Sequence, residues 1–428
     1  LMTISLSVYA QNAPPTLPEN APPLIYNFRI ENNQKSRVYF DSSEPVWGSS
    51  VKGFKVTGKT LTGISINSGQ TSGHYFSVSK PFTFWDNNTI RYEGGSNIKD
   101  DDSNGLNEFN LQYIKNRLAE PSGNGEIYYV SKSGNDSNDG RSESKAWRSI
   151  AYAASNAKAG DVVYIKAGDY GSESAVVRKS GKADNPIKFI GYKNVIGDDP
   201  TLSRNQDTRL DSNKMPLIHS GGSRGTGFSS GGKSYIIVRN IQLEGYEDAI
   251  DFGKSESCLL ENIYVKGSSR FNILAGNAPS MKFIGCYSAN AGNSGIRYSG
   301  ARTLVDDMYV SSRGNPNMDY LISLYGSDDG VGSIIINSSI VSDPKDSHSQ
   351  HGLSIKADDK KLEYVLCENI YIQDTEQPIE VRHHEVSYSV FRNIQCMQVH
   401  ASASERSAGI VLLNGPHHNV FDNITVDG

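Results

Sequence analysis

The chain contains 428 residues, and 42 Lys and Arg against 47 Asp and Glu give it a net charge of −5. This acidic balance argues against a general nucleic-acid binder and against a protein that adheres to anionic membranes. Hydrophobic residues make up 37% of the chain and charged residues 21%, which excludes a disordered protein and predicts two or three globular domains. No apolar stretch is long enough to span a membrane.

The N-terminus predicts export from the cell. Residues 1–10 (LMTISLSVYA) resemble the end of a signal peptide, with a small-x-small cleavage pattern at residues 8–10. We therefore expect a secreted protein, either extracellular or periplasmic. Residues 11–24 are rich in proline and are predicted to form an extended linker. The four cysteines are too few and too far apart for a disulfide framework or a zinc site.

Residues 25–117 contain short alternating strands separated by Gly, Asn and Ser turns, a pattern typical of a small β-sandwich. Within them, EPVWGSSVKGFKVTG (residues 44–58) resembles the immunoglobulin-like modules attached to bacterial secreted enzymes. That resemblance implies a small immunoglobulin-like β-sandwich, in which we find no catalytic pattern. Residues 118–126 are predicted to form a second linker.

Residues 127–171 begin a different domain, in which a strand, a polar turn, a short amphipathic helix and a second strand follow one another. This run resembles the opening of secreted pectate-lyase-like proteins, where a short helix caps the first coil of a right-handed parallel β-helix. The resemblance implies that residues 127–428 form such a β-helix as the catalytic domain. We find no capping element after the last repeat strand, which leaves open that C-terminal coils are missing.

Eight copies of one short apolar motif recur from residue 236 onward, for example IIVRNIQL, CLLENIYV and SVFRNIQC. The residue after the predicted turn serves as a marker, and successive markers are 22, 23, 22, 32, 30, 24 and 30 residues apart. The markers are Ile241, Ile263, Cys286, Met308, Ile340, Ile370, Ile394 and Ile424. Steps in the low twenties with occasional longer loops predict one coil of a β-solenoid per repeat. The expected fold is therefore all-β.

Asparagine recurs immediately before the marker in five of these copies. The five residues are Asn240, Asn262, Asn369, Asn393 and Asn423. Asparagine tolerates a left-handed backbone, and its amide can hydrogen-bond to the equivalent amide of a stacked strand. We therefore predict an asparagine ladder with a structural role.

A second strand follows each marker, and its alternation predicts an exposed sheet face. Period two places Leu353 and Ile355 inward. The outward residues form one column of Asp251, Leu274, Arg297, Ser323, Ser354, Glu380 and Val411, and a second column of Gly253, Gly276, Ser299, Tyr325, Lys356, Arg382 and Leu413. Neighbours within a column lie about 4.8 Å apart, so Lys356 and Arg382 are predicted to be adjacent.

Several titratable side chains are therefore predicted to meet on this face. They are Tyr325, Lys356, Asp358, Glu380, Arg382, His383 and His384, with Arg297 two coils before Lys356. Asp358 lies two residues after Lys356, and His384 lies two residues after Arg382. We therefore expect Asp358 and His384 to be neighbours as well. One patch would thus combine basic, acidic and phenolic groups.

This set of side chains suits β-elimination from a uronic-acid polysaccharide. The reaction removes a proton next to a carboxylate and expels the glycosidic oxygen, so it requires a base, a cation beside the carboxylate and a proton donor. The neighbouring Arg382 disfavours the ammonium form of Lys356, which favours its use as a base, and Arg382 itself presents a planar fork to a carboxylate. Tyr325 or His384 would protonate the leaving oxygen. The predicted substrate-binding residues are Arg297, Glu380 and His383.

The segment Ser354–Lys356, followed one coil later by Ile379–His383, resembles the Lys and Arg-His pair of the alginate lyase and chondroitinase B family of β-helix lyases. The resemblance implies that Lys356 is the base and that Arg382 is the acid or the carboxylate partner. That family places acidic calcium ligands just before its lysine, where this chain has His351 and Ser354.

Calcium is a further expectation for this patch. Asp358, Asp359 and Glu380 offer carboxylate oxygens that would bridge Ca²⁺ to a substrate carboxylate. The alternative is that the two aspartates are acidic turn residues that balance Lys360 and Lys361.

Two other functions stay open. A glycoside hydrolase on the same fold would use paired carboxylates, either Asp248 with Asp251 or Glu380 with Asp358. A non-catalytic glycan-binding solenoid would present aromatic stacking platforms, but Tyr325 is the only outward aromatic residue in the two columns. We expect a monomer whose partner is an acidic polysaccharide.

Overall fold

The structure is a computed structural model that describes residues 21–221, 225–313, 317–326, 331–343, 350–358, 360–400 and 408–428. The chain divides into two compact units, Leu1–Glu120 and Pro121–Gly428. The predicted signal peptide and most of the first linker lie outside the described residues. No helix in the described part of the chain has the length and apolar character that crossing a membrane requires.

The first unit contains seven strands. They are Ile25–Ile30 (β1), Arg37–Ser42 (β2), Phe54–Val56 (β3), Leu61–Ser65 (β4), His74–Val78 (β5), Asn88–Tyr92 (β6) and Phe109–Asn116 (β7). Their order in the sheet is β3-β6-β7-β1-β2-β5-β4. The rings of Phe54 and Phe76 lie 4.7 Å apart, although four strands separate β3 from β5 in that order. The two halves of the sheet therefore face each other across one aromatic core, which confirms the predicted β-sandwich.

The second unit opens as predicted, with a strand, a short helix and a second strand. These elements are Ile127–Val130 (β8), a 3₁₀ turn at Glu143–Lys145, Ile150–Asn156 (α1) and Val162–Lys166 (β9). Ser149 caps the helix, because its Oγ accepts a hydrogen bond from the Tyr152 backbone N–H at 3.1 Å. Ile150, Ala153 and Ala154 are buried in the core of the unit. The helix thus covers apolar side chains at one end of the coils.

The rest of the unit is built from short strands. They are Gly168–Gly171 (β10), Ala175–Val176 (β11), Ile187–Tyr192 (β12), Pro216–His219 (β13), Thr226–Ser229 (β14), Ile236–Arg239 (β15), Gln242–Glu244 (β16), Asp248–Asp251 (β17), Leu259–Glu261 (β18), Tyr264–Lys266 (β19), Phe271–Ala275 (β20), Lys282–Ile284 (β21), Tyr287–Ala289 (β22), Ser294–Tyr298 (β23), Leu304–Asp306 (β24), Tyr309–Ser311 (β25), Tyr320–Gly326 (β26), Ile334–Ile336 (β27), Ser339–Val341 (β28), His351–Ala357 (β29), Leu362–Glu363 (β30), Leu366–Gln373 (β31), Gln377–Arg382 (β32), Val386–Ser387 (β33), Val390–Met397 (β34), Ile410–Leu413 (β35) and Val420–Val426 (β36). They form an eighteen-stranded sheet, a nine-stranded sheet and the small pair β30-β33.

The middle coils contribute two segments to the eighteen-stranded sheet and one strand to the nine-stranded sheet, as β15, β16 and β17 do. In the last coils the two segments merge into one strand, namely β31, β34 or β36. Successive coils pair in parallel, for example β15 with β18 and β17 with β20. The inward side chains join one continuous apolar core, in which Leu353 and Ile355 are fully buried. This arrangement is the predicted right-handed parallel β-helix.

The asparagine ladder is present. Asn240 and Asn262 have φ values of 59° and 52°, and the Asn262 Nδ2 donates to the Asn240 Oδ1 at 2.6 Å. Asparagine suits this turn because its side chain bonds along the stack while its backbone accepts the left-handed conformation. The same amide-to-amide bond joins Asn369 to Asn337, Asn393 to Asn369 and Asn423 to Asn393.

One predicted marker of the repeat is wrong by two residues. Ile340 pairs with Val310, and Ile336 pairs with Asp306, so Ser338 rather than Ile340 occupies the position equivalent to Met308. A serine is tolerated at this buried position because its Oγ donates to the Ile336 carbonyl oxygen at 2.9 Å. The isoleucines on both sides of Ser338 disguise the true register in the sequence.

Candidate active site

The nine-stranded sheet presents the predicted columns. Strands β23, β26, β29 and β32 pair in register, so Ser323 lies beside Ser354 and Tyr325 lies beside Lys356. The next pairing places Arg382 beside Lys356. The predicted adjacency of the basic pair is therefore confirmed, because period-two alternation and the repeat together fix both the face and the register.

A groove with a volume of about 330 Å³ lies on this face. Its lining residues are Arg297, Tyr320, Ser323, Tyr325, Lys356, Ala357, Asp358, Arg382, His383 and Asn414. Three cations against one carboxylate give the lining a positive charge within an acidic chain. Such a concentration of positive charge attracts an anionic ligand.

Lys356 is held by two partners at the floor of the groove. Its Nζ donates to the Tyr320 Oη at 2.6 Å and lies 3.3 Å from the Glu380 Oε2. The same Glu380 oxygen accepts a hydrogen bond from the Ser354 Oγ at 2.6 Å. Lys356 thus lies between the Glu380 carboxylate and Arg382 on the adjacent strand.

Glu380 does not belong to the exposed surface that the alternation predicts for it. Its side chain is only 2% exposed, beneath Lys356. Alternation gives the direction in which a side chain points, but the long lysine side chain folds over the glutamate and removes it from solvent. Burial is compensated by the ion pair and by the Ser354 hydroxyl. Glu380 therefore positions Lys356 and does not line the groove.

His351 completes the layer beneath the groove. Its ring stacks on that of Tyr320, with centroids 4.9 Å apart and an angle of 14° between the planes. Its Nδ1 lies 3.6 Å from the Glu380 Oε2. Burial, together with the positive charge of Lys356, lowers the pKa of His351 to about 4. These two effects outweigh the Glu380 carboxylate, which raises the pKa. The imidazole is therefore neutral at pH 7.

We expect His351 to make the unfolding of the β-helix sensitive to acid. The unfolded chain takes up a proton at this side chain near pH 6.5, whereas the native chain does so near pH 4. Acidification from pH 6.5 towards pH 4 should therefore lower the free energy of unfolding by about 1–3 kcal/mol more in the parent than in His351→Phe. Calorimetric unfolding at pH 7 and pH 5 measures the difference, and equal shifts in both proteins would refute it.

Tyr325 and Arg297 contact each other at one end of the groove. The Arg297 guanidinium carbon lies 4.5 Å from the centroid of the Tyr325 ring. A hydrogen bond to Asp358, followed by partial burial, raises the pKa of Tyr325. Its hydroxyl therefore stays protonated at neutral pH, as a proton donor requires.

The two histidines that follow Arg382 take different positions. His383 lines the groove, whereas His384 lies outside the lining and its Nε2 is 3.2 Å from the Glu385 Oε1. The predicted contact between Asp358 and His384 assumes that the extended strand continues. It ends instead at Arg382, because His383 has a φ of 94° and turns the chain.

The predicted calcium ligands do not form a cluster among the described residues, which contain no group of three His, Cys, Asp or Glu side chains suited to a metal ion. The carboxylate of Glu380 faces the Lys356 ammonium, and the carboxylate of Asp358 accepts a hydrogen bond from the Tyr325 hydroxyl. Asp359 lies outside the described residues. Calcium therefore stays a prediction, and we derive no chemical step from it.

The carboxylates considered for a hydrolase have other partners. Arg270 forms an ion pair with Asp248, which is buried. The Asp251 Oδ1 accepts a hydrogen bond from the Gly253 backbone N–H at 2.8 Å. Neither residue lines the groove, so this pair does not share a site with the cations.

Sequence reasoning missed Tyr320 as a site residue and treated His351 only as the replacement of an acidic ligand. Both residues begin their strands and pair in register. Each lies one residue before the strand start that the sequence predicts. Leu321 and Ile322 are both fully buried, so alternation breaks at this point and Tyr320 turns outward. The groove is thus lined by a second aromatic ring besides that of Tyr325. The signal available in the sequence was a third column, in which Phe271 and Ser294 precede Tyr320 and His351.

Comparison with known proteins identifies the fold of the second unit. Residues 128–337 match the family described as the Pel9A-like right-handed β-helix region. The second unit is a right-handed parallel β-helix, and its matched part is similar to that family. The matched part of this β-helix includes Arg297 and Tyr325 but ends before Lys356 and Arg382, so the basic pair is characterised by its own geometry.

The sequence relative that matches this chain is distant. The uncharacterized protein YwoF of Bacillus subtilis (strain 168) is 27% identical over 220 residues, which are 44% of this chain and 47% of that protein. The match thus spans about half the length of that relative.

Several solved structures are similar to this chain at low identity. Pectate lyase Pel9A is 14% identical, with 71% of this chain and 77% of that chain covered and a TM-score of 0.44. A rhamnogalacturonan lyase is 12% identical, with 69% and 87% covered and a TM-score of 0.43. The GH136 lacto-N-biosidase from Eubacterium ramulus is also 12% identical, with 71% and 68% covered and a TM-score of 0.41. The reaction therefore has to be derived from the geometry of the site.

Proposed function

We propose that this β-helix is a secreted lyase that cleaves a uronate-containing polysaccharide by β-elimination. The observation that carries the proposal is the groove in which Lys356, bonded to Tyr320, lies beside Arg382. Arg382 and Arg297 have no carboxylate partner among the described residues. Two such guanidinium groups suit the carboxylates of an acidic glycan.

The proposed reaction assigns one role to each side chain. Arg382 binds the uronate carboxylate and stabilises the negative charge that develops there. Lys356, as the neutral amine, takes the proton from the carbon next to that carboxylate. The electrons of the broken C–H bond form a carbon–carbon double bond, and the bond to the glycosidic oxygen breaks. Tyr325 donates its proton to that oxygen.

Tyr325→Phe is expected to lower kcat by about 100-fold, because protonation of the leaving oxygen by a positioned acid contributes roughly that factor. The ring and its contact with Arg297 stay in place, so KM should change little. A substrate with a nitrophenolate leaving group needs no acid and provides the control. If Tyr325→Phe loses as much activity on that substrate as on the polysaccharide, Tyr325 is not the acid.

The deciding experiment incubates the protein with pectin-, alginate- and glycosaminoglycan-like polysaccharides, with and without a calcium chelator. We expect the ultraviolet absorbance of an unsaturated uronide, and loss of that signal with chelator would establish the calcium requirement. New reducing ends without the absorbance would show hydrolysis and refute the lyase. Binding without cleavage of any of these glycans would favour a non-catalytic solenoid.

A further inference from the structure

Three Asn-Gly pairs occur in the chain, at residues 104–105, 124–125 and 414–415. This dipeptide is prone to spontaneous deamidation, because glycine has no side chain to keep its backbone nitrogen away from the preceding side-chain amide. The reaction requires that the amide carbon and the backbone nitrogen are both free to approach each other. The hydrogen bonds of the three pairs therefore decide which asparagine reacts in the folded protein.

Hydrogen bonds hold two of these pairs in place. The Asn104 Nδ2 donates to the Asp100 Oδ2 at 3.0 Å, and the Asn104 backbone N–H donates to the Oδ1 of the same aspartate at 2.8 Å. In the second pair, the Gly125 backbone N–H donates to the Gly160 carbonyl oxygen at 3.0 Å, which withholds the attacking nitrogen. Both pairs therefore have to open locally before they react.

The third pair lies in an exposed turn after β35. Among the described residues, no hydrogen bond holds the Asn414 side-chain amide or the Gly415 backbone N–H. Both residues are exposed and have positive φ values, 59° and 76°. A turn with two such central residues is usually closed by the N–H of the residue that follows them. Here that residue is Pro416, which has no N–H, so the turn lacks the bond that would keep it shut.

Asn414 is also one of the residues that line the groove. It follows Leu413, which pairs with Arg382, and the His383 backbone N–H donates to the Leu413 carbonyl oxygen at 2.8 Å. A charge at residue 414 therefore lies close to Arg382. A carboxylate there leaves three cations against two carboxylates in the lining, which weakens the attraction of the groove for an anionic ligand.

We propose that Asn414 is a site of spontaneous deamidation that places a negative charge in the groove and so limits the working life of the protein. The Gly415 nitrogen forms a bond to the Asn414 Cγ, and the bond from that carbon to the amide nitrogen breaks. Ammonia leaves with the proton that the Gly415 nitrogen loses. Water then opens the succinimide ring to give aspartate or isoaspartate. The loss of activity rests on the proposed function, whereas the modification itself does not.

The test incubates the full chain at mildly alkaline pH, with and without denaturant, and follows the three pairs by mass spectrometry of proteolytic peptides. In denaturant we expect similar rates for all three, because each asparagine precedes glycine. In the folded protein Asn414 should react about 10-fold or more faster than Asn104 and Asn124, since a protecting hydrogen bond reduces the reactive population by roughly that factor. Equal rates in the folded protein would overturn the proposal.

Two variants measure the consequence for the groove. Asn414→Asp reproduces the charge of the product, and we expect it to bind polygalacturonate and alginate about 2- to 5-fold more weakly than the parent, with a smaller difference at high salt. Asn414→Gly lacks the reactive amide and accepts the positive φ, so it should keep its own initial activity during an incubation in which the parent loses activity.

The outcomes separate the modification from the reaction. Binding by Asn414→Asp that equals that of the parent would overturn the effect of the charge. If the protein neither binds nor cleaves these glycans, the proposed function fails, and the peptide rates still decide whether Asn414 is the site of modification.

Discussion

Lys356→Met is expected to slow the formation of unsaturated product by at least about 1,000-fold, which lies within the range that a positioned general base contributes. Methionine keeps most of the length of the side chain but cannot accept the proton. Lys266→Met provides a matched control, because Lys266 is also partly buried but lies on β19 of the eighteen-stranded sheet. Its activity should stay within about twofold of the parent, as for a substitution remote from the site.

The Lys356 variant alone also leaves the Glu380 carboxylate buried without its cation, which costs about 3–5 kcal/mol of stability. Loss of activity through misfolding is therefore a competing explanation. The double variant Lys356→Met with Glu380→Gln removes both charges and keeps an amide beside the Ser354 hydroxyl. We expect the double variant to be folded and inactive. A folded double variant that retained parental activity would exclude Lys356 as the base.

Gly191→Ala is expected to destabilise the β-helix by about 3 kcal/mol or more, with a thermal midpoint lower by roughly 5–10 °C. A Cβ at this position would lie 1.9 Å from the Asn240 carbonyl oxygen and 2.9 Å from the Pro216 Cδ. The carbonyl belongs to the backbone of the next coil, at the start of the asparagine ladder, and a side-chain rotation cannot relieve the overlap.

Gly168→Ala provides the control for the glycine substitution. A Cβ at Gly168 meets the nearest atom, the Lys132 Cβ, at 3.6 Å, which is ordinary van der Waals contact. Calorimetry of both variants should therefore show a lower midpoint only for Gly191→Ala. Equal midpoints would contradict the close approach of the two coils at Gly191.

The sequence predicts the floor of the site well because two periodicities act together. Alternation decides which residues point outward, and the asparagine-containing repeat decides which outward residues are neighbours. The pairing of Lys356 with Arg382 follows from these rules alone. This pairing holds although the number of residues per coil varies by about ten, since the extra residues lie between strands.

The contacts that decide the chemistry follow from neither periodicity. Tyr320 points outward because Leu321 and Ile322 are buried in succession, and a break in alternation has no clear sequence signature. The burial of Glu380 depends on the conformation of the long Lys356 side chain above it. The position of His384 depends on a left-handed backbone at His383, which residues other than glycine and asparagine seldom adopt. Each feature arises from side-chain packing or from a single dihedral angle.

The connections between the sheets differ in length beside strands that stay in register. Nine residues separate the end of β28 from the start of β29, whereas β16 and β17 are joined by only three residues. Tyr320 still pairs with His351. Insertions at these connections therefore change what borders the groove without disturbing the register of the cations beneath it. Under the proposed function, a descendant of this protein could thus admit differently substituted sugars while the positions of Lys356 and Arg382 stay unchanged.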